Sequence, residues 1–147
     1  MSRMLMATVL LTLFTAALIR GPAPSISMTA YKWKNRPLLV FTPSAKAQYL
    51  DQQKAIVVAN QIGFRERDMV VIYVTGDYVS AALGRGPGRS AQALRADYGI
   101  KSDQFLAILV GKDGDTKLRS SKPVSAARLF SLIDPMPMRQ QEMREQG

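Results

Sequence analysis

The sequence predicts an α/β fold: a central mixed four-stranded sheet with helices on both faces, in the order β-α-β-α-β-β-α. Three observations carry it. Two short apolar runs, at 38–41 and 69–74, flank a helix-length amphipathic segment, and strand, helix, strand makes a right-handed parallel crossover unit. The second of these runs, Met69-Val70-Val71-Ile72-Tyr73-Val74, is apolar without alternation, as in a strand covered on both faces. A third apolar run, at 105–110, is followed by Lys112-Asp113-Gly114, a strong short-range hairpin signal.

In chain order, Leu38-Leu39-Val40-Phe41 is a strand ended by Thr42-Pro43, and Ser44 is placed to cap the next helix by accepting a backbone N–H bond. That helix is expected from Ala45 to about Ile62. Tyr49, Ile56 and Ala59 form its packing side, widened by Leu50 and Val57, with Lys46, Asp51 and Lys54 toward water. Gly63 is placed to end it. After the strand at 69–74, residues 75–89 read as an irregular, glycine-rich connection. Ser90 to Tyr98 then forms a short helix stopped by Gly99. Phe105 to Val110 is the third strand, and Asp115 to Arg119 returns as a polar edge strand. The last helix spans about Ser125 to Ile133 and packs Leu129, Phe130, Leu132 and Ile133, with Asp134-Pro135 ending it. Met136 to Gly147 reads as a loose helix or a tail.

The chain has 147 residues, a net charge of +9, and neither cysteine nor histidine. Met1-Ser2-Arg3 is a short positive start, and Met4 to Ile19 is uncharged and apolar apart from three threonines. That run is shorter than the ~20 residues a membrane-spanning helix needs and suits the core of a signal peptide. Gly21-Pro22-Ala23-Pro24 breaks it, and Ala23, Ser25 and Ser27 offer cleavage after Ser25 or Ser27. The alternative is an uncleaved amino-terminal anchor, since Arg20 is an unusual flank for a cleavage region, and only then would the chain touch a membrane. The expected organisation is 1–27 signal peptide or anchor, 28–37 lead-in, 38–134 folded domain and 135–147 Met/Pro and polar tail. Export to the periplasm or the cell exterior follows. Nearly all the charge remains on the mature part and should attract anions. Export favours envelope glycans, anionic lipids or acidic proteins over nucleic acid as the natural partner.

The element order resembles the thioredoxin-like fold over residues 38 to 134, and Tyr98-Gly99-Ile100-Lys101 looks like the matching thioredoxin segment. Where thioredoxins carry a cysteine pair, this chain has Thr42-Pro43-Ser44-Ala45-Lys46-Ala47; where they carry a cis-proline, it has Ser102-Asp103-Gln104. Phe41-Thr42-Pro43 is similar to the start of a peroxiredoxin active-site stretch, but the reacting Thr and Cys would fall near Ala47 and Leu50. No other side chain replaces a low-pKa thiolate, so thiol redox and peroxidase chemistry are excluded.

A closer resemblance is to a family of uncharacterised thioredoxin-like domains found alone in exported bacterial proteins and within vertebrate sushi-repeat and related extracellular-matrix proteins. The stretches that carry it are Trp33-Lys34-Asn35-Arg36 with Leu38 to Phe41, Arg67-Asp68, Gly111-Lys112-Asp113-Gly114 with Lys117, and Ile133-Asp134-Pro135-Met136-Pro137-Met138-Arg139-Gln140. The resemblance implies export and a thioredoxin-like fold, and it brings no catalytic residues.

Four constellations carry residues suited to binding. Gly84-Arg85-Gly86-Pro87-Gly88-Arg89-Ser90 leads into a helix, so Arg85, Arg89 and Ser90 form an anion-binding candidate beside a helix N-terminus; the plainer reading is a surface connection capped by Ser90. Tyr31 to Arg36 interleaves aromatics with cations, as stacking ligands require, or packs its rings over the sheet edge. Asp113 and Asp115 give too few oxygens for a metal and sit beside Lys112 and Lys117, so no metal site is expected. Prolines at 135 and 137 are expected to hold an extended path, with Met136 and Met138 leaning on the core or offering a docking surface, and Asp134 and Arg139 tied to the preceding helix or to Arg67-Asp68. No catalytic set and no cofactor is expected. The leading expectation is a redox-inactive binding module for an anionic ligand or a protein. The alternatives are an enzyme of unrecognised, non-thiol type, marked by a buried carboxylic acid of raised pKa, and an interaction protein docking through the Met-Pro segment.

Overall fold

A computed structural model describes residues 28–43 and 47–147. The signal or anchor segment, the Ser44 cap and the expected helix start at Ala45 lie outside the described residues. A 3-10 turn, Met28–Tyr31, leads into β1 (Arg36–Thr42), α1 (Gln48–Ala59), α2 (Gln61–Glu66), β2 (Met69–Thr75), β3 (Tyr78–Leu83), α3 (Ala91–Tyr98), β4 (Leu106–Val110), β5 (Thr116–Ser120), α4 (Ala126–Ile133) and α5 (Pro137–Gln146).

The described strands form one mixed sheet in the order β3-β2-β1-β4-β5. Only β1 and β2 run parallel, with Leu38 opposite Val71; β4 lies antiparallel on the other side of β1, with Leu109 opposite Leu38. The pleat sends alternate residues of these central strands to opposite faces. Leu38, Val40, Val71, Tyr73 and Leu109 pack against α1, α2 and α4, while Leu39, Phe41, Ile72, Val74 and Ile108 pack against α3 and Tyr31. All seven residues of β1 are buried, which explains its unbroken apolar reading.

Five strands replace the expected four. Residues 78–83, read as part of an irregular connection, form edge strand β3, joined to β2 by the two-residue turn Gly76-Asp77 with Gly76 at φ 54°. Only Leu83 of β3 is fully buried, so the strand lacks the apolar run that marks the central ones. The long first helix is also divided. Asn60 leaves helical geometry (φ −127°, ψ 22°), and its side-chain amide turns back to donate to the Ile56 carbonyl at 2.8 Å. Gly63 lies inside α2 rather than ending a helix, because its bare Cα admits the Phe130 ring; a Cβ there would sit 2.7 Å from ring carbons. On α1 the buried stripe is Leu50, Gln53 and Val57, whereas Tyr49 and Ala59 are exposed. Gln53 tolerates complete burial because it exchanges two hydrogen bonds with the Val124 backbone, at 3.0 and 2.8 Å.

Other local signals act as read. Ser90 accepts from the Ala93 amide at 3.1 Å and Gly99 closes α3 at φ 64°. Ser125 caps α4, whose Leu129 and Ile133 are buried with Phe130 and Leu132 packed beside them. The segment after Pro135 is not extended: Met136 adopts an extended backbone, but Pro137 is the first residue of α5, where a missing N–H costs no helical bond.

Candidate functional site

Where β1 begins and β4 ends, charged side chains from distant parts of the chain close on one another. Arg36, the first residue of β1, is 1% exposed. Its terminal nitrogens grip both oxygens of Glu142 on α5, at 3.1 and 3.0 Å, and Nη1 also donates to the Arg67 carbonyl at 2.9 Å. Lys112 Nζ donates to Glu142 Oε1 at 2.6 Å and to Asp68 Oδ2 at 2.8 Å. Arg67 forms a two-pronged pair with Asp134, at 2.7 and 2.9 Å, while its guanidinium lies 3.9 Å from the Phe130 ring centroid. Arg139 donates to the Glu66 carbonyl at 2.8 Å and lies 3.7 Å from Asp134. Asp134 and Arg139 thus tie to the Arg67 region, as their positions suggest. Desolvating a guanidinium as buried as that of Arg36 costs several kcal/mol, which the three bonds from its terminal nitrogens offset while its Nε is left without a partner. The network therefore fixes α5 against the sheet.

Two of its carboxylates, those of Glu142 and Asp134, are held ionised. Burial alone would raise the Glu142 pKa, but hydrogen bonds from Arg36 and Lys112, with their charges, carry it below the usual value. The Arg67 hydrogen bond lowers Asp134, and the Lys117 hydrogen bond lowers Asp113. None of these three suits proton transfer at neutral pH.

Against the outer side of this network lies a cavity of about 280 Å³ lined by residues from three stretches: Trp33 and Arg36, 111–113 with Lys117, and 136–138. Every lining residue belongs to the segments that carry the family resemblance. Its cations are already committed, Arg36 and Lys112 to Glu142 and Lys117 to Asp113 at 2.6 Å, so Trp33, Met136, Pro137 and Met138 give it an apolar character. Trp33 is the unusual member. It holds φ at +66°, a region costly for a bulky residue, its amide donates to the Lys112 carbonyl at 2.6 Å, and its side chain is 61% exposed. The expectation that the lead-in aromatics pack over the sheet holds for Tyr31, which is buried, and fails for Trp33, over which Lys32 Nζ lies at 5.4 Å. Met136 leans on the core as well as on the cavity. Gly114 turns the hairpin at φ 88° and lies outside the lining.

The anion candidate does not assemble as read. Arg89 pairs with Asp97 through two contacts of 2.6 Å, and the Ser90 hydroxyl is occupied by its cap. Arg85 lies apart from them, its carbonyl accepting from the Tyr31 hydroxyl. Sequence reading missed Glu142 entirely. Its one signal was the three-residue step from Arg139, which puts both on one helix face.

Among the described residues no helix is long and apolar enough to cross a membrane. The chain is 32% identical over 115 residues to the sushi repeat-containing protein SRPX of Rattus norvegicus and to that of Homo sapiens, and 31% identical over 115 residues to that of Mus musculus. Each alignment covers 75% of this chain and 25% of the relative, so the chain spans about a quarter of the curated proteins it matches. No solved structure matches it. Residues 27–142 match the family described as Domain of unknown function (DUF4174), with the cavity and its charge network inside the matched span, and the chain belongs to that family.

Proposed function

We propose that this chain is an exported, redox-inactive, thioredoxin-like module that binds a protein partner through the Trp33–Met138 cavity. The observation that carries the proposal is the convergence of three separated stretches on one apolar recess braced by a buried charge network, with Trp33 kept exposed at a backbone cost. Tryptophan, methionine and proline walls suit an apolar side chain presented by a partner, and methionine adapts to its shape. The net charge of +9 favours an acidic partner and speeds encounter. The thioredoxin-like assignment is supported by the order β2-β1-β4-β5 with one parallel pair, β3 being an added edge. In that reading the stretch that corresponds to the thiol position starts at Thr42, the end of β1 opposite the cavity, about 20 Å away for a seven-residue strand. Export is supported by the amino-terminal segment and by the family resemblance. The third expectation, docking through the Met-Pro segment, becomes one wall of the same recess. No cofactor enters the proposal.

The test is photo-crosslinking from position 138 of the full chain in its native host, with fractionation of the cells. One discrete adduct in the envelope or medium, lost in Trp33→Ala and still formed at high salt, is the expected result. The same adducts from an exposed α1 position such as Val58, or an adduct unaffected by Trp33→Ala, would sink the docking site, and a cytosolic product would sink export.

A further inference from the structure

A second cavity, separate from the docking recess, lies between the lead-in and the glycine-rich loop before α3. It encloses about 390 Å³ and is lined by Tyr31, Lys34, Asn35, Arg85 and the backbone of residues 86–88, with no acidic residue in its wall. Lys34 and Arg85 make no ion pair among the described residues, whereas Arg89, four residues on, is neutralised by Asp97. The amides of Gly86 and Gly88 donate to no acceptor among the described residues. Unpaired cations beside free backbone N–H groups in a turn are the two components of an anion-binding concavity.

The loop is also fixed in place. The Tyr31 hydroxyl donates to the Arg85 carbonyl at 2.5 Å, and Asn35, whose amide donates to the Tyr31 carbonyl at 2.8 Å, braces the other wall. Burial pushes the Tyr31 hydroxyl up to about 12 against the opposing charge of Arg85, so the donor keeps its proton at any physiological pH. Gly84 and Gly88, at φ 76° and 61°, let the backbone bend around the recess.

We infer that this cavity binds a tetrahedral oxyanion, a sulfate or a phosphate, held by Lys34, Arg85 and the loop amides. The arrangement favours a compact dianion over a carboxylate, because two separate cations match its double charge and its tetrahedral oxygens can face donors on several sides at once. The site moves the anion candidate away from Arg89 and Ser90 and brings in Lys34, which is distant in sequence. It is independent of partner docking at Trp33.

The experiment is calorimetric titration of the full chain at constant ionic strength, made up with chloride, using inorganic sulfate, inorganic phosphate and phenyl phosphate. A saturable one-to-one isotherm is expected for at least one of the three; tighter binding of phenyl phosphate would identify a monoester rather than the free ion as the fitting form. Lys34→Ala and Arg85→Ala should each weaken binding about tenfold. Arg89→Ala removes the same charge from the neighbouring pair and should leave affinity unchanged, as should Met138→Asp in the docking recess. Absence of saturable binding, or an equal loss in Arg89→Ala, overturns the site and leaves partner docking untouched.

Discussion

At the scale of single residues, Glu142 is the hinge of the charge network, since Arg36 and Lys112 have both arranged their donors around its carboxylate. Glu142→Gln leaves two buried cations without their shared counter-charge and is expected to cost about 3 kcal/mol, read from urea unfolding at pH 7. The pH dependence follows from the same contacts. The folded pKa of Glu142 lies below its ordinary 4.5, so the stabilisation is complete above that value and is lost as the pH falls through the lowered folded value. Acid unfolding followed by circular dichroism should therefore steepen below about pH 4.5, and Glu142→Gln should flatten that slope. Asp134, lowered by Arg67, adds in the same direction. Most members of the network are legible in sequence as odd charged residues in the resembling stretches, among them Arg36, Arg67, Asp68, Lys112, Asp134 and Arg139. Glu142 is not, because it belongs to a polar helix whose ten residues resemble a solvated tail until tertiary packing buries one face.

At the scale of elements, the helices show where local pattern stops deciding. Gly63 has the composition of a helix stop, yet it occupies the middle of α2 because the Phe130 ring lies against its backbone. That ring cannot retreat, being packed edge-on to Phe64 at 5.5 Å between centroids and covered by the Arg67 guanidinium. Gly63→Ala would gain up to about 1 kcal/mol in helix propensity but place a methyl 2.7 Å from ring carbons. Overpacking should win, so the urea midpoint is expected to fall by the equivalent of about 1–2 kcal/mol. Gly63→Ala combined with Phe130→Leu should recover part of the loss, which separates a steric cause from a backbone one. Strand β3 has the opposite history. Gly76-Asp77 makes its turn, but Tyr78 and residues 80–82 are exposed on the sheet edge and only Val79 among these five is half-buried against the core, too little apolar alternation to mark a strand. The central strands, buried on both faces, and the capped helices α3 and α4 are legible because burial and capping each leave a mark in local sequence.

At the scale of the whole molecule, the sheet has two unlike ends. At the end where β1 and β2 begin, stability depends on charge pairs that reach α5 from Arg36 of β1 and from Lys112 just after β4, whereas at the far end the buried Arg95 of α3 holds the Thr42 and Gly76 carbonyls, at 3.3 and 2.6 Å. The two ends share only the apolar core between them, so damage to one should spread unevenly. Deleting residues 137–147 removes Glu142 and Arg139 together, leaving Arg36 without a counter-charge and Lys112 with Asp68 alone. Native-state hydrogen exchange should then show faster exchange in the first half of β1 and of β2, near Arg36 and Met69, with smaller changes near Thr42 and Thr75, which face each other at the other end of the register. Since the cavity is roofed by Met136, Pro137 and Met138, the same deletion should abolish partner capture while sulfate or phosphate still binds at Lys34 and Arg85. Uniform loss of protection along both strands would mean instead that α5 is part of a single cooperative unit, and that the docking recess cannot be removed without unfolding the sheet.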